Sequence, residues 1–318
     1  MKGLELSRHY FEYGRDLIMN AVPGEVAERM AAGLVGEGSQ CFGFDDEISQ
    51  DHDFAPGFCI WLTEDDYLKY GNVLQKVYDA LPAQFMGYSR NNITARDRLG
   101  VFPIKSFYEK FLGPSVPPES NMDWLLVSEA NLAACTNGEV FYDPSGCFSE
   151  IRLHLLNFYP EDVLRKKIAA RAAVMSQSGQ YNLLRTIRRH DIVASGLAAA
   201  RFTDAALSML YLLNRRYMPF YKWAYHGSKS LQKLQNCLAL LPALSDITVL
   251  AASGDWNSAY NAAFNTTEMI CSDVARELKM QGFSSSESTF LQDHLPDIMS
   301  GIRDPQIASM HPMMDFNF

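Results

Sequence analysis

Residues 33–62 read GLVGEGSQCFGFDDEISQDHDFAPGFCIWL, and this stretch decides the fold. A Gly38-Ser39 turn follows the apolar pair Leu34-Val35, residues 40–50 intervene, and Asp51-His52-Asp53 leads towards the apolar run Phe58-Cys59-Ile60-Trp61-Leu62. Glycine in a turn lets backbone N–H groups approach phosphate oxygens closely. Ser39 adds a hydroxyl to its own N–H; its other reading is a turn or helix-cap serine. Carboxylates at i and i+2 of an extended segment project to one side, so Asp51 and Asp53 are placed to grip one hard cation. Mg²⁺ takes one or two protein carboxylates and fills its octahedron with water and phosphate oxygens. His52 points the opposite way and reads as packing or as support for a ligand. Asp45, Asp46 and Glu47 crowd the same segment. Their mutual repulsion is relieved either by a bound cation or by a solvated loop.

Outward from this stretch, residues 4–20 place Leu4, Leu6, Tyr10, Phe11, Leu17 and Ile18 near one helical face. Pro23 sets off a shorter helix, 25–32. Residues 57–63 form a strand, and Thr63 then caps a helix with an acidic first turn that runs to Ala80. Weaker strands follow at 84–88 and 99–104, then a helix at 106–112 and a last strand, 139–142. The turn Asp143-Pro144-Ser145-Gly146 ends that strand. From residue 148 onward only helical patterns recur, at 148–157, 161–178, 181–199, 202–217, 228–241, 255–280 and 286–300. The fold class is therefore α+β: a mixed sheet with helices in 1–147, then an all-α bundle in 148–318. The tail HPMMDFNF is apolar and docks on the body or on a partner.

Net charge is −9, which argues against broad nucleic-acid binding and leaves room for a local basic patch. The six cysteines are scattered without a Cys-x-x-Cys and read as reduced thiols, not as a disulfide framework or zinc site. No apolar run approaches the roughly 18 residues that span a bilayer, and the polar N-terminus is unlike a signal peptide. A cytoplasmic location without membrane association is the expectation.

Further candidates lie outside the opening stretch. Asp143 sits at a strand end, where it is either a site acid or a turn starter. Arg185, Arg188 and Arg189 share one helical face, suited to clamping phosphates or to pairing with Asp191 and other acids in solvent. Arg215-Arg216-Tyr217-Met218-Pro219-Phe220-Tyr221-Lys222-Trp223 mixes cations and rings around a proline. Lys222 can reach a triphosphate there, or the rings simply pack a helix junction.

Gly38-Ser39, followed by Ser49-Gln50-Asp51-His52-Asp53-Phe54, resembles the hallmark of the nucleotidyltransferase superfamily. This is the polymerase-beta-like fold that includes aminoglycoside and lincosamide nucleotidyltransferases. The chain is similar to a bacterial branch of it through GLELSRHYF (3–11), GEGSQCFGFDDEISQDHDF (36–54), GEVFYDPSG (138–146) and LLNRRYMPFYKW (212–223). The resemblance implies transfer of a nucleoside monophosphate from a nucleoside triphosphate to an acceptor hydroxyl. It implies Mg²⁺ or Mn²⁺ on Asp51 and Asp53, phosphates on Gly38 and Ser39, and no DNA. The acceptor is a small molecule first, RNA or protein second. Active members add a third carboxylate on a later strand. Arg98–Ile104 carries none, and Gly100 stands where a Glu is expected. Asp143, Glu139 or Asp45 substitutes for it, or the chain senses a nucleotide or partners a protein without turnover. A phosphohydrolase using the same acids is a third reading.

Overall fold

A computed structural model describes residues 1–50, 54–90 and 98–316. The fold is α+β and divides into two compact units, Met1–Glu119 with Glu129–Phe158, and Ser120–Ser128 with Tyr159–Phe318.

In the first unit, α1 (Gly3–Met19) buries Leu6, Tyr10, Phe11 and Ile18, while Leu17 faces solvent. After α2 (Gly24–Arg29), residues expected to close that helix form a strand instead, β1 (Ala31–Leu34). Small side chains suit this central position. A Cβ on Gly33 would lie 2.4 Å from the Glu139 carbonyl oxygen of the neighbouring strand. A short α3 (Ser39–Phe42) follows the glycine turn, and β2 (Cys59–Leu62) is buried throughout. The cap of α4 (Glu64–Asp79) is the expected Thr63, whose hydroxyl accepts from the Asp66 N–H. Asp66 receives two hydrogen bonds from Arg29, at 2.8 and 2.9 Å, which tie α4 to α2. Next come the small hairpin β3 (Gln84–Phe85) and β4 (Tyr88–Ser89), then β5 (Gly100–Pro103) and α5 (Ile104–Leu112). Beyond α6 (Asn121–Leu126), which belongs to the second unit, come α7 (Glu129–Thr136), β6 (Glu139–Tyr142) and α8 (Cys147–Leu156).

The four-stranded sheet has the order β5-β2-β1-β6. β1 is antiparallel to β2 and β6, and β5 is parallel to β2. Alternation along β2 explains its unbroken apolar run. Ile60 and Leu62 join Tyr10, Phe11, Phe58 and Leu74 in the core under α1 and α4. Trp61 faces the other way and stacks on Phe148 of α8, with ring centres 3.9 Å apart.

Every regular element among the second unit's described residues is a helix. α9 (Glu161–Met175) continues through a π-helical segment (Ser176–Leu183) into α10 (Leu184–Arg188). The side chain of Gln180, in the π segment, bonds the Leu291 N–H, the Thr289 carbonyl and Glu268, each at 3.0 Å. The helices expected at 181–199 and 202–217 do not form as such. The chain breaks at His190, with φ +58°, and Asp191 then caps a single α11 (Ile192–Leu213). α12 (Tyr221–Ser228), α13 (Gln235–Leu240), α14 (Ala243–Ala252), α15 (Trp256–Met280), α16 (Leu295–Ser300) and α17 (Pro305–Ala308) complete the unit.

The tail docks on this unit's own body. Lys166 donates to the carbonyls of His311, Pro312 and Met314, and Arg171 pairs with Asp315 while its Nε reaches Ser208 at 2.7 Å. Among the described residues one stretch, Gln235–Ala252, is apolar enough to span a membrane by length and composition, contrary to the expectation that none would be. It comprises α13 and α14, broken around Leu241 and Pro242.

Candidate functional site

Strand register brings Leu34, Cys59, Gly100 and Glu139 to one end of the sheet. There β1 runs into the turn Val35-Gly36-Glu37-Gly38-Ser39. Gly36 (φ +131°) and Gly38 (φ +109°) adopt backbone conformations that side chains disfavour. The turn is held from far along the chain. The Gly36 N–H donates to Asn137 Oδ1 at 3.0 Å, and Asn137 Nδ2 donates to the Gly36 carbonyl at 2.7 Å. Arg152 Nη1 in turn donates to the Asn137 carbonyl at 2.7 Å. Gly138 permits this clasp, since a Cβ there would sit 1.9 Å from the Leu34 carbonyl oxygen. Among the described residues, no atom beyond Gly38 and its two chain neighbours lies within 4 Å of where a Gly38 Cβ would be. Ser39 opens α3, so N–H groups of that first turn lack intrahelical acceptors. A glycine turn held in this shape at the start of a helix is suited to an anion.

Two cations stand at the same turn. Lys110 Nζ lies 3.0 Å and Arg98 Nε 3.7 Å from the Glu37 carboxylate. Sequence reasoning missed both, because they come from α5 and from the segment before β5, and no local pattern links them to Gly38. Cys41 and Cys59 lie here as well. Burial pushes the Cys41 thiol up to about 12 and raises that of Cys59 too, so both stay protonated at neutral pH. They act as packing groups, not as nucleophiles or metal ligands.

Asp51 and Asp53 lie outside the described residues. The described acids near the turn already have partners. Asp45 is buried and accepts from the Gly3 N–H at 2.9 Å, with Lys2 beside it, which anchors α1. Glu139 pairs with Arg8, and Glu37 with Lys110. Asp143 follows the other end of β6, about 13 Å along the chain from Glu139 at the strand rise of about 3.3 Å per residue. Its Oδ2 accepts from the Ser149 N–H at 2.8 Å and steadies the start of α8. The sheet therefore does not bring Asp143 to the Gly38-Ser39 turn. Among the described residues no group of three or more His, Cys, Asp or Glu could hold a metal ion.

Gly100 has a structural reason of its own. Its φ is +123°, and a Cβ would come 2.9 Å from Gln75 Oε1, which accepts from the Val101 N–H at 3.0 Å. A glutamate at this position would be strained by the positive φ and would displace the Gln75 side chain from the Val101 N–H.

The other candidates belong to the second unit. Arg189 is exposed at the end of α10. Its neighbours are each engaged with a tyrosine: Arg185 with Tyr181, and Arg188 with Tyr260 at 2.6 Å. Asp191 caps α11 and accepts from the Ala194 N–H at 3.0 Å. Lys222 is exposed on α12, its Nζ 5.5 Å from the centre of the Trp223 ring.

A domain of unknown function (DUF4037) matches residues 124–224, which end in α12. No curated protein and no solved structure matches the chain.

Proposed function

We propose that this chain binds a nucleoside triphosphate at the Gly38-Ser39 turn and transfers the nucleoside monophosphate to an acceptor hydroxyl. The acceptor oxygen bonds to the α-phosphorus as the bond to pyrophosphate breaks. One observation carries the reading: a glycine turn clasped by Asn137, with no described side chain beside Gly38, and flanked by Lys110 and Arg98. The turn's amides and the two cations receive the phosphates. Asp51 and Asp53 hold Mg²⁺ or Mn²⁺, which would neutralise developing charge. The resemblance to nucleotidyltransferases supports this division of labour. A small-molecule hydroxyl is the first acceptor to screen, then RNA or protein. A cytoplasmic setting suits the reading, since it supplies triphosphates and keeps the free cysteines reduced.

Thermal unfolding with Mg²⁺ and each of ATP, GTP, CTP and UTP tests it. A ligand at a hundredfold excess over Kd stabilises the folded state by about 2.7 kcal/mol. The expected result is a rise with at least one triphosphate that disappears in Asp51→Asn. No rise with any triphosphate, or an undiminished rise in Asp51→Asn, overturns the assignment.

The conformation of Gly100 favours a second reading, nucleotide sensing without turnover. A carboxylate residue at that position on β5 would be strained, which weakens the case for a shared two-metal site. Product analysis separates the readings: released pyrophosphate means transfer, released phosphate means hydrolysis, and binding with neither means sensing. Gly100→Glu is a poor test of lost catalysis, because its strain would mask any gain.

A further inference from the structure

From residue 205 to 245 the chain has no Asp or Glu, yet it holds Arg215, Arg216, Lys222, Lys229 and Lys233 in a protein of net charge −9. The structure concentrates part of this basic run on one small surface. α12 turns Ala224, Gly227 and Ser228 inward. Outward it presents Tyr221 (72% exposed) and Tyr225 (39%), with Phe220 (53%) just before the helix. The Phe220 and Tyr221 rings lie 4.5 Å apart. Lys222 and Lys229 sit by aromatic faces, the latter 5.7 Å from the Tyr225 ring centre. Lys233 is engaged with Glu277 at 3.0 Å, whereas Arg216 is exposed beside the start of the segment.

This surface is rigidly built. Tyr211 OH donates to the Ala224 carbonyl at 2.8 Å. Asn214 Oδ1 accepts from the N–H groups of Gln232 and Lys233 at 3.1 and 2.8 Å, which closes the loop around α12. Arg215 (φ +55°) and Leu234 (φ +61°) hold left-handed conformations at its two ends. Such backbone persists in non-glycine residues only where surrounding contacts impose it.

Exposed rings interleaved with cations match a strand of unpaired bases linked by phosphates. A membrane surface fits less well, because the outward face of α12 is Tyr221, Lys222, Tyr225 and His226, without an aliphatic side chain to insert. Paired bases hide their faces from such rings, and unpaired ends and loops are characteristic of RNA. We propose that the α12 face docks single-stranded RNA, with bases stacking on Phe220, Tyr221 and Tyr225 and phosphates meeting Lys222, Lys229 and Arg216. The proposal goes beyond nucleotidyl transfer and needs neither metal nor triphosphate.

Fluorescence anisotropy of the full chain with a labelled U-rich RNA of about 12 nucleotides tests it, in EDTA and without nucleotide. Those conditions separate its failure from failure of the triphosphate site. Saturable binding that weakens as salt rises from about 50 to about 200 mM is expected. Tyr221→Ala with Tyr225→Ala weakens binding about tenfold or more, whereas Tyr221→Phe preserves it. Lys222→Glu with Lys229→Glu weakens binding and flattens the salt dependence. The lysine variants keep the parent's thermal unfolding, because Lys222 and Lys229 are exposed, whereas Tyr225 also donates to the Leu238 carbonyl at 3.5 Å, so the lysine pair decides where the tyrosine pair lowers stability. Absent binding, variants that bind like the parent, or equal binding of duplex RNA or single-stranded DNA overturns the proposal. So does preferential co-sedimentation with phosphatidylserine vesicles that the same variants abolish.

Discussion

The two units handle positive charge in opposite ways. At the glycine turn, Lys110 and Arg98 are each more than a third exposed and share the half-exposed carboxylate of Glu37. In the second unit, Lys166, Lys167 and Arg171 are wholly buried and gather the chain's own residues 311–315. A half-solvated pair contributes little to stability, about 0–1 kcal/mol, so a phosphate can replace the carboxylate at small cost. Buried cations depend on their partners, because desolvation leaves them no other compensation. The contrast teaches that a cluster of cations is a ligand site only where water still reaches it.

The sharpest way to break the comparison is Asp315→Ala, which takes a carboxylate from two buried cations. It is expected to cost about 3–5 kcal/mol, read as a lower urea midpoint. The same loss at Glu37 would remove the distinction between the units.

Gly138→Ala comes next. It places a methyl against the Leu34 carbonyl at a φ of +59°. A loss of about 3 kcal/mol is expected, together with any triphosphate-dependent thermal shift, since the Asn137 clasp moves with it.

A pH effect distinguishes the buried cluster. Burial pushes the Lys166 ammonium down to about 8; Asp315 opposes this, and Arg171 and Lys167 reinforce it. An unfolded lysine keeps its proton to about 10.4. Between those values the unfolded chain binds a proton that the folded chain has released, so this group makes stability rise with pH. Below about 8 that gain is absent. The stability difference between parent and Lys166→Met should therefore grow as pH climbs through this window, followed by urea titrations at stepped pH.

The smallest expected effect on stability is at Glu37→Gln, under about 1 kcal/mol. Its effect on binding runs the other way. Removal of the competing carboxylate should tighten triphosphate binding severalfold, read as a larger thermal shift at fixed nucleotide. Unchanged or weaker binding would mean that Lys110 and Arg98 do not serve the turn.

Elements with strong local patterns were legible beforehand. The apolar run of β2, the Thr63 cap of α4 and the strand Glu139–Tyr142 form where periodicity and capping chemistry place them. Ala31–Leu34 was not legible as a strand, because Ala-Ala-Gly has no β preference and is extended only between two neighbours. The join near residue 200 failed similarly. The only break signal lies at His190, and Gly179 serves to admit the Phe202 ring, not to end a helix. At the candidate site, Gly38 and Ser39 stood out by type and spacing. Asn137, Arg98 and Lys110 did not, since each reaches the turn from a distant part of the chain.

By itself the sequence determined the α+β class, the strand at β2 and the glycine turn, because these follow from side-chain patterning and from conformations favoured by glycine. Only the tertiary structure decided which end of the sheet each acid occupies, which cations reach the turn and where the tail docks. Strand register and long-range packing set those distances, and neither is encoded in any local window.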